Sequence, residues 1–193
     1  MHPMQEQIKT LFTEGIQTQI AAADQLQEPL QRAAELLVAT LLSGQKIYCC
    51  GEGMAHATSR HFAHIMLTGL SFERPPFPVT SLHADFGAND HQAVFAQQLQ
   101  AVGQANDVVL VLSAGARAPR TARALEAALG RNMLIVAITQ EGDHDIAGLL
   151  GPDDVEIRIP TTNIARASEH LLQTVNMLCS LVEHQIFPQE MDE

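Results

Sequence analysis

The sequence predicts an α/β fold, in which a doubly wound, parallel five-stranded sheet is flanked by helices on both faces. One observation is the order of segments, because five short runs rich in Val, Ile and Leu alternate with segments of helical periodicity after residue 45. Most of these runs are apolar at nearly every position, as a sheet covered on both faces requires. Composition agrees, since 193 residues with 46% hydrophobic side chains suffice for one buried core.

The chain begins with two helical segments. Apolar side chains recur every three or four positions over residues 4–26, at Ile8, Leu11, Phe12, Ile16, Ile20 and Ala23. A second helix is predicted over residues 29–44, with a proline in its first turn and a glycine at its end. We therefore divide the chain into an N-terminal helical unit, residues 1–44, and a main part, residues 45–193, within a single structural domain.

The main part of the chain alternates strands and helices. The strands are predicted at residues 46–50, 78–82, 107–112, 133–139 and 154–159. Helices are predicted between these strands and after the last one, at residues 54–70, 91–102, 119–130, 145–150 and 163–187. Parallel pairing follows, because successive parallel strands are usually joined by a helical crossover.

The last predicted helix carries two apolar stripes. One stripe consists of Leu171, Val175, Leu178 and Val182, and the other of Leu172, Cys179 and Ile186. A helix that is apolar on two faces needs two partners. The sheet provides one partner, and we expect a second copy of the chain, joined through the N-terminal helices, to provide the other. The alternative is that both stripes pack within one chain.

The charge of the chain excludes two classes of direct partner. It has 11 Lys and Arg against 22 Asp and Glu, a net charge of −11, and an isoelectric point near 5.1. Such a surface repels phosphates, so we expect no direct binding to nucleic acid or to an anionic membrane. The sequence has no apolar run of about 18 residues and no recognisable signal peptide, and we expect a cytoplasmic protein.

The three cysteines predict neither disulfides nor a metal site. Cys49 and Cys50 are adjacent and Cys179 is remote, a spacing that matches no disulfide framework and no zinc-ligand pattern. We expect buried, reduced thiols, as is usual for free cysteines.

A glycine-containing loop follows the first predicted strand. Gly51, Glu52 and Gly53 stand between that strand and the next helix, where backbone N–H groups can approach an anion. The loop is not a dinucleotide fingerprint, because His56 stands where a small residue is needed. It is not a nucleotide-binding P-loop either, because no Gly-Lys-Ser/Thr follows. The alternative is a tight turn without a ligand.

A second loop, after the third strand, offers a hydroxyl and several cations. Ser113 is its only hydroxyl residue, and Arg117, Arg120 and Arg123 recur at intervals of three in the following helix. Three arginines in seven positions form a local positive region on an acidic chain. They indicate an anionic ligand or an acidic partner. A solvated helix face is the alternative.

Several motifs make the chain similar to the sugar isomerase (SIS) domain family over residues 4–188. They are Cys50-Gly51-x-Gly53, His61-Phe62-Ala63, Glu73-Arg74-Pro75, Asn89-Asp90, Gly103-x4-Val108, Ile-Val-Ala-Ile-Thr at 135–139, Ala-Gly-Leu-Leu-Gly-Pro at 147–152 and Asp-Val-Glu-Ile-Arg-Ile-Pro at 154–160. The family includes phosphoheptose isomerases and proteins that associate with the replication initiator DnaA. The resemblance implies a sandwich of the SIS type.

The resemblance places the isomerase residues at positions that this chain has changed. The serine of the glycine loop falls on Ala55, the helix glutamate on Ile65, the glutamine of the last helix on Ser168 and its histidine on Asn176, and only His61 is kept. A single imidazole supplies neither the acid and base pair nor three zinc ligands. A different metal site at His56, His61 and His64 is the alternative.

These departures imply no catalytic residues, no metal and no cofactor, with zinc needed only if the chain is an isomerase. The ligand-binding residues that the resemblance implies are Gly51, Glu52, Gly53, His61, Asn89, Asp90 and Ser113.

Two functions are therefore expected from the resemblance. The first is a non-enzymatic regulator of replication initiation that binds DnaA as a homo-oligomer, in keeping with tetrameric members of the family. Its implied partner-binding residues are Ile186 and Phe187, which otherwise would simply complete the core. The alternative is a phosphoheptose isomerase, acting on sedoheptulose 7-phosphate, or a protein that binds a phosphosugar without converting it.

Overall fold

A computed structural model of the chain describes residues 2–85, 90–115 and 117–188. The five strands are β1 Ile47–Gly51, β2 Val79–Ser81, β3 Val108–Leu112, β4 Leu134–Gln140 and β5 Val155–Ile159. The seven α-helices are α1 Pro3–Gln25, α2 Gln27–Leu42, α3 Met54–Thr68, α4 Val94–Val102, α5 Pro119–Leu129, α6 His144–Ala147 and α7 Ile164–Ile186. A single 3-10 turn, His91–Ala93, leads into α4.

All strands of the sheet are parallel, in the order β2-β1-β3-β4-β5. Ile47 of β1 is aligned with Val79 of β2 on one side and with Val108 of β3 on the other. The chain thus winds in both directions from β1, which confirms the predicted doubly wound α/β fold. Every residue of β1 and β3 is buried, because helices cover both faces of the sheet.

The core has two layers, one on each face of the sheet. The first lies between the sheet and α2, α3 and α7, and its large, fully buried side chains include Leu37, Phe62 and Met66. The second lies between the sheet and α4, α5 and α6, around Phe95 and Leu125. Because α2 contributes Leu37 to the first layer, the predicted N-terminal unit shares its core with the rest of the chain.

Helix α1 buries side chains against the body of the protein only in its C-terminal half, and Arg166 of α7 also donates a hydrogen bond of 3.3 Å to the Leu11 backbone carbonyl. Its buried side chains are Thr18 and Ala22. Six large apolar side chains of α1 are instead exposed: Met4, Ile8, Leu11, Phe12, Ile16 and Ile20. The described part of one chain therefore leaves the apolar face of α1 exposed, and the use of this helix in oligomerisation stays a prediction.

A buried ion pair joins the end of α3 to the end of α7. Glu183 of α7 is fully buried, and its Oε1 accepts hydrogen bonds from the Arg74 Nε at 2.9 Å and from the Leu70 backbone N–H at 2.7 Å. The other carboxylate oxygen accepts from the Ser71 backbone N–H at 3.1 Å. The Arg74 guanidinium also donates to three backbone carbonyls and lies 3.8 Å from the centre of the Phe77 ring. This network closes the loop between α3 and β2.

No helix within residues 2–85, 90–115 and 117–188 has both the length and the apolar character needed to cross a membrane.

Candidate functional site

The sheet order brings the loops after β1 and β3 side by side. β1 and β3 are hydrogen-bonded neighbours, and the chain leaves them towards helices on opposite faces, so a crevice opens at their carboxyl ends. A cavity of about 280 Å³ lies there. Its lining residues come from both loops and from the start of α3: Glu52, Gly53, Met54, Ser113, Ala114, Gly115, Arg117 and Ala118. Three of the residues predicted to bind a ligand, Glu52, Gly53 and Ser113, thus line one cavity, and their role in binding stays a prediction.

The two glycines of the first loop are required by the turn itself. A Cβ atom on Gly51 would lie 2.7 Å from the backbone oxygen of Ala55, which is too close for any side chain. Gly53 precedes α3 with a φ of 55°, in the region that favours glycine. These residues therefore shape the entry to α3, whether or not a ligand binds.

Glu52 reaches across the crevice to the first turn of α5. Its Oε1 accepts a hydrogen bond of 3.0 Å from the backbone N–H of Thr121, the third residue of that helix, and lies 3.5 Å from the Thr121 hydroxyl. The first backbone N–H groups of a helix have no partners within the helix and carry a partial positive charge. The Glu52 carboxylate thus lies where a bound anion would lie in such a fold.

The hydroxyl of Ser113 is occupied within its own loop. Ser113 is buried, and its Oγ donates to the backbone carbonyl of Gly115 at 3.3 Å. Arg117, in contrast, lies exposed at the rim of the same cavity. The cavity therefore contains a buried hydroxyl, a carboxylate and one peripheral cation.

His61 lies away from this cavity. It is on α3, and its Nε2 is 2.9 Å from Oδ1 of Asn176 on α7. It borders a shallow surface depression with Ala57, Arg60 and His64, none of which lines the cavity between β1 and β3. His61 therefore does not line the same cavity as Glu52, Gly53 and Ser113 within a single chain.

Asp90 does not line the cavity either, and Asn89 lies outside the described residues. Asp90 caps the 3-10 turn by accepting from the Gln92 backbone N–H at 2.9 Å, and it forms an ion pair with Arg123. The hydrogen bond from Gln92 and the Arg123 guanidinium together lower the pKa of Asp90 below its ordinary value. Arg123, one of the three arginines of the predicted positive region, is thus paired with a carboxylate of the same chain at the protein surface.

The side chains around His61 do not fit a zinc ion. Its neighbour Asn176 is an amide, and Ile65, one turn further along α3, is apolar and buried. In the part of the chain that the structure describes, no group of three His, Cys, Asp or Glu side chains could hold a metal ion. Among residues 2–85, 90–115 and 117–188, the side chains of His56, His61 and His64 therefore form no metal site within one chain, and these residues offer no group of three such ligands for the zinc that the isomerase alternative would need.

The three cysteines are buried and free. Burial raises the pKa of Cys49 and of Cys179 to about 12, and raises that of Cys50 well above its ordinary value. All three remain protonated thiols at neutral pH, which makes them poor nucleophiles.

Ile186 and Phe187 lie at the end of α7, half-buried against the first core layer. The Phe187 ring stacks on Phe77, with the ring centres 5.9 Å apart and the planes 22° from parallel. Phe77 in turn contacts Arg74. Both residues thus pack against the core and keep part of their surface accessible, so their role in binding a partner stays a prediction.

Residues 12–140 match the SIS domain family. The chain belongs to this family. The chain is also 47% identical to the DnaA initiator-associating protein DiaA of Shigella flexneri, in an alignment that covers 98% of this chain and 100% of the relative. It is 46% identical, with the same coverage, to DiaA of Escherichia coli K12.

Solved structures of the family confirm the architecture. A phosphoheptose isomerase from Francisella tularensis superposes with a TM-score of 0.89 at 28% identity, covering 94% of this chain and 98% of that one. The phosphoheptose isomerase from Neisseria gonorrhoeae gives a TM-score of 0.85 at 30% identity, covering 93% and 98%. The SIS domain thus accounts for the fold.

The contact between Glu52 and Thr121 was not predicted from the sequence. The Thr121 backbone N–H binds Glu52 although the two residues are 69 positions apart. A signal was present, because Pro119 marks the first turn of α5 and so places the Thr121 N–H among the unpaired donors. The pairing of β1 with β3, which places their following loops side by side, is what brings Glu52 within hydrogen-bonding distance of this donor.

Proposed function

We propose that this protein is a non-enzymatic regulator of replication initiation, which binds the initiator DnaA as a homo-oligomer. The observation that carries the proposal is the similarity of 46–47%, over nearly the full chain, to proteins named for their association with DnaA. The net charge of −11 supports an action through a protein partner, because the chain itself would be repelled by DNA phosphates. We expect the protein to act with this partner in the cytoplasm, where its free thiols, such as Cys49 and Cys179, stay reduced.

Self-association through α1 is part of the proposal. Phe12 is 71% exposed and Met4 is 62% exposed, on a helix that has six large apolar side chains in contact with solvent. A contiguous apolar face of this kind is costly in water and marks an interaction surface. We assign this face to other copies of the chain in a homotetramer. Four copies would present four DnaA-binding sites, and binding at several sites at once gains affinity without any new contact.

The contact with DnaA is assigned to Ile186 and Phe187. An aromatic side chain that is fixed by packing on one side and accessible on the other loses little conformational freedom on binding. Phe187 meets both conditions, because Phe77 fixes its ring and the residue stays half-buried.

A pull-down of purified DnaA on the full-length protein tests this proposal. We expect wild type to retain DnaA and Phe187→Ala to reduce retention about tenfold or more, the size expected for an aromatic residue central to an interface. Phe77→Leu is the comparison variant, because it weakens the ring stack from the core side but keeps the Phe187 side chain itself, so it should reduce binding much less than Phe187→Ala. Leu181→Ala, an exposed position of α7, controls for unspecific surface effects.

The results separate a contact from a packing role. Loss of binding in Phe187→Ala with binding kept in Phe77→Leu would support the assignment. An equal loss in both variants would mean that Phe187 acts through the core, and no retention of DnaA by wild type would contradict the function itself.

A phosphoheptose isomerase is the alternative function, and the likeness of its fold to solved isomerases favours it. Its chemistry requires an acid and a base at the reacting carbons. The corresponding positions carry the apolar Ile65 and the amide of Asn176, whose oxygen is hydrogen-bonded to His61. Turnover of sedoheptulose 7-phosphate that depends on zinc and disappears in His61→Ala would nevertheless establish the isomerase.

A further inference from the structure

We propose that Glu52 is an internal anion that controls which ligands enter the cavity between β1 and β3. Its carboxylate occupies the anion position at the start of α5, so that a phosphomonoester binds there only when Glu52 is neutralised or displaced. The proposal concerns the specificity of this cavity and does not rest on the binding of DnaA.

The first argument is the position of the carboxylate. Glu52 belongs to the loop after β1, and it bridges to the backbone N–H of Thr121 in the first turn of α5, on the other side of the crevice. Such N–H groups are the donors that bind phosphate in many α/β proteins. Here one of them is satisfied by the chain itself, at 3.0 Å.

The second argument is the space around the carboxylate. Gly53, Ala114 and Gly115 are small residues on the cavity wall, and a Cβ on Gly115 would meet no atom within 4 Å. The cavity of about 280 Å³ therefore has room for a phosphate group beside Glu52. What opposes a phosphate is charge, because two anions a few ångströms apart repel strongly in a partly desolvated crevice.

The third argument is the unused cation at the rim. Arg117 lines the cavity, and it takes part in none of the ion pairs found among residues 2–85, 90–115 and 117–188. A guanidinium is well suited to a phosphate. The cavity thus keeps the cation that an anionic ligand would need, together with a carboxylate in the ligand's place.

Glu52→Gln separates charge from shape. The glutamine side-chain oxygen can still accept from the Thr121 N–H, so the cap of α5 and the turn after β1 are kept while the negative charge is removed. Glu52→Ala removes both. Glu126→Gln, at an exposed position of α5, changes the net charge by the same amount and is the matched control.

Titration calorimetry of the full-length variants with inorganic phosphate and with glucose 6-phosphate gives the readout. We expect Glu52→Gln to bind both anions roughly tenfold or more tightly than wild type, with no gain in Glu126→Gln. Adding Arg117→Ala to Glu52→Gln should remove most of the gain. Glucose, which lacks the phosphate, should bind to none of the variants.

The proposal fails if Glu52→Gln and Glu52→Ala bind phosphate no more tightly than wild type, because Glu52 would then be only a helix cap. It also fails if Glu126→Gln gives the same gain, since the effect would then come from net charge. A gain for glucose alone would show that the charge of Glu52 does not set the specificity.

Discussion

The buried Glu183 depends on the Arg74 side chain to compensate its negative charge. Its carboxylate is fully buried and accepts three hydrogen bonds, one from the Arg74 side chain and two from backbone N–H groups. Arg74 is satisfied in return by three carbonyls and by the face of Phe77. A buried ion pair adds little net stability compared with apolar residues, but the loss of one partner leaves an uncompensated charge in the core.

We therefore expect Arg74→Met to lower the free energy of unfolding by about 3–5 kcal/mol, because Glu183 would lose the guanidinium that compensates its charge. The matched control is Arg158→Met, which breaks the partly exposed pair with Glu156 and should cost less than about 1 kcal/mol. Urea denaturation followed by circular dichroism measures both. Equal effects of the two substitutions would contradict the central role of the Arg74–Glu183 pair.

At the scale of elements, the turn from β1 into α3 leaves no room for a side chain at Gly51, the last residue of β1. A side chain at Gly51 would collide with the backbone of Ala55, which belongs to the first turn of α3 and cannot yield as a flexible side chain would. We expect Gly51→Ala to destabilise the protein by about 1–3 kcal/mol, the usual cost of overpacking a rigid site. Gly115→Ala, where the added Cβ meets no atom within 4 Å, should change the stability far less. Thermal unfolding of both variants compares the two loops directly, and a similar shift in each would refute the steric argument.

The elements themselves were predictable, because their signal is local. The apolar runs predicted the ends of every strand to within two residues. The periodicity predicted the helices, although the segment predicted as a helix at 91–102 begins with a 3-10 turn. The glycine loop was also predictable from residue type and position. The partners of Glu52 and Glu183 were not, since they lie 69 and 109 positions away in the sequence. Such contacts depend on strand order and helix packing, which no local pattern encodes.

At the scale of the whole molecule, α1 is the element that one chain cannot explain. Its apolar face is exposed over four turns, although the helix buries Thr18 and Ala22 against the body of the same chain. Removing such a face from water provides about 25 cal/mol per Å² of apolar surface, the main driving force for association. The proposed tetramer would use this face, and the sites for DnaA at the end of α7 would be repeated around it.

We expect Phe12→Glu combined with Ile16→Glu to dissociate the tetramer, because two charges would be placed in the centre of the apolar face. Thr13→Glu combined with Gln17→Glu adds the same charge on the polar side of α1 and should leave the assembly intact. Sedimentation equilibrium measures the mass, and circular dichroism checks that the chain stays folded, as expected for a helix that contributes only Thr18 and Ala22 to the buried surface. The dissociated variant should then bind an array of DnaA molecules on DNA 10²–10⁴-fold more weakly than wild type, at an unchanged affinity for a single DnaA, because only the gain from multiple sites is lost. A wild-type protein that sediments as a monomer, or an equal loss of affinity for single and arrayed DnaA, would contradict a mechanism based on repeated sites.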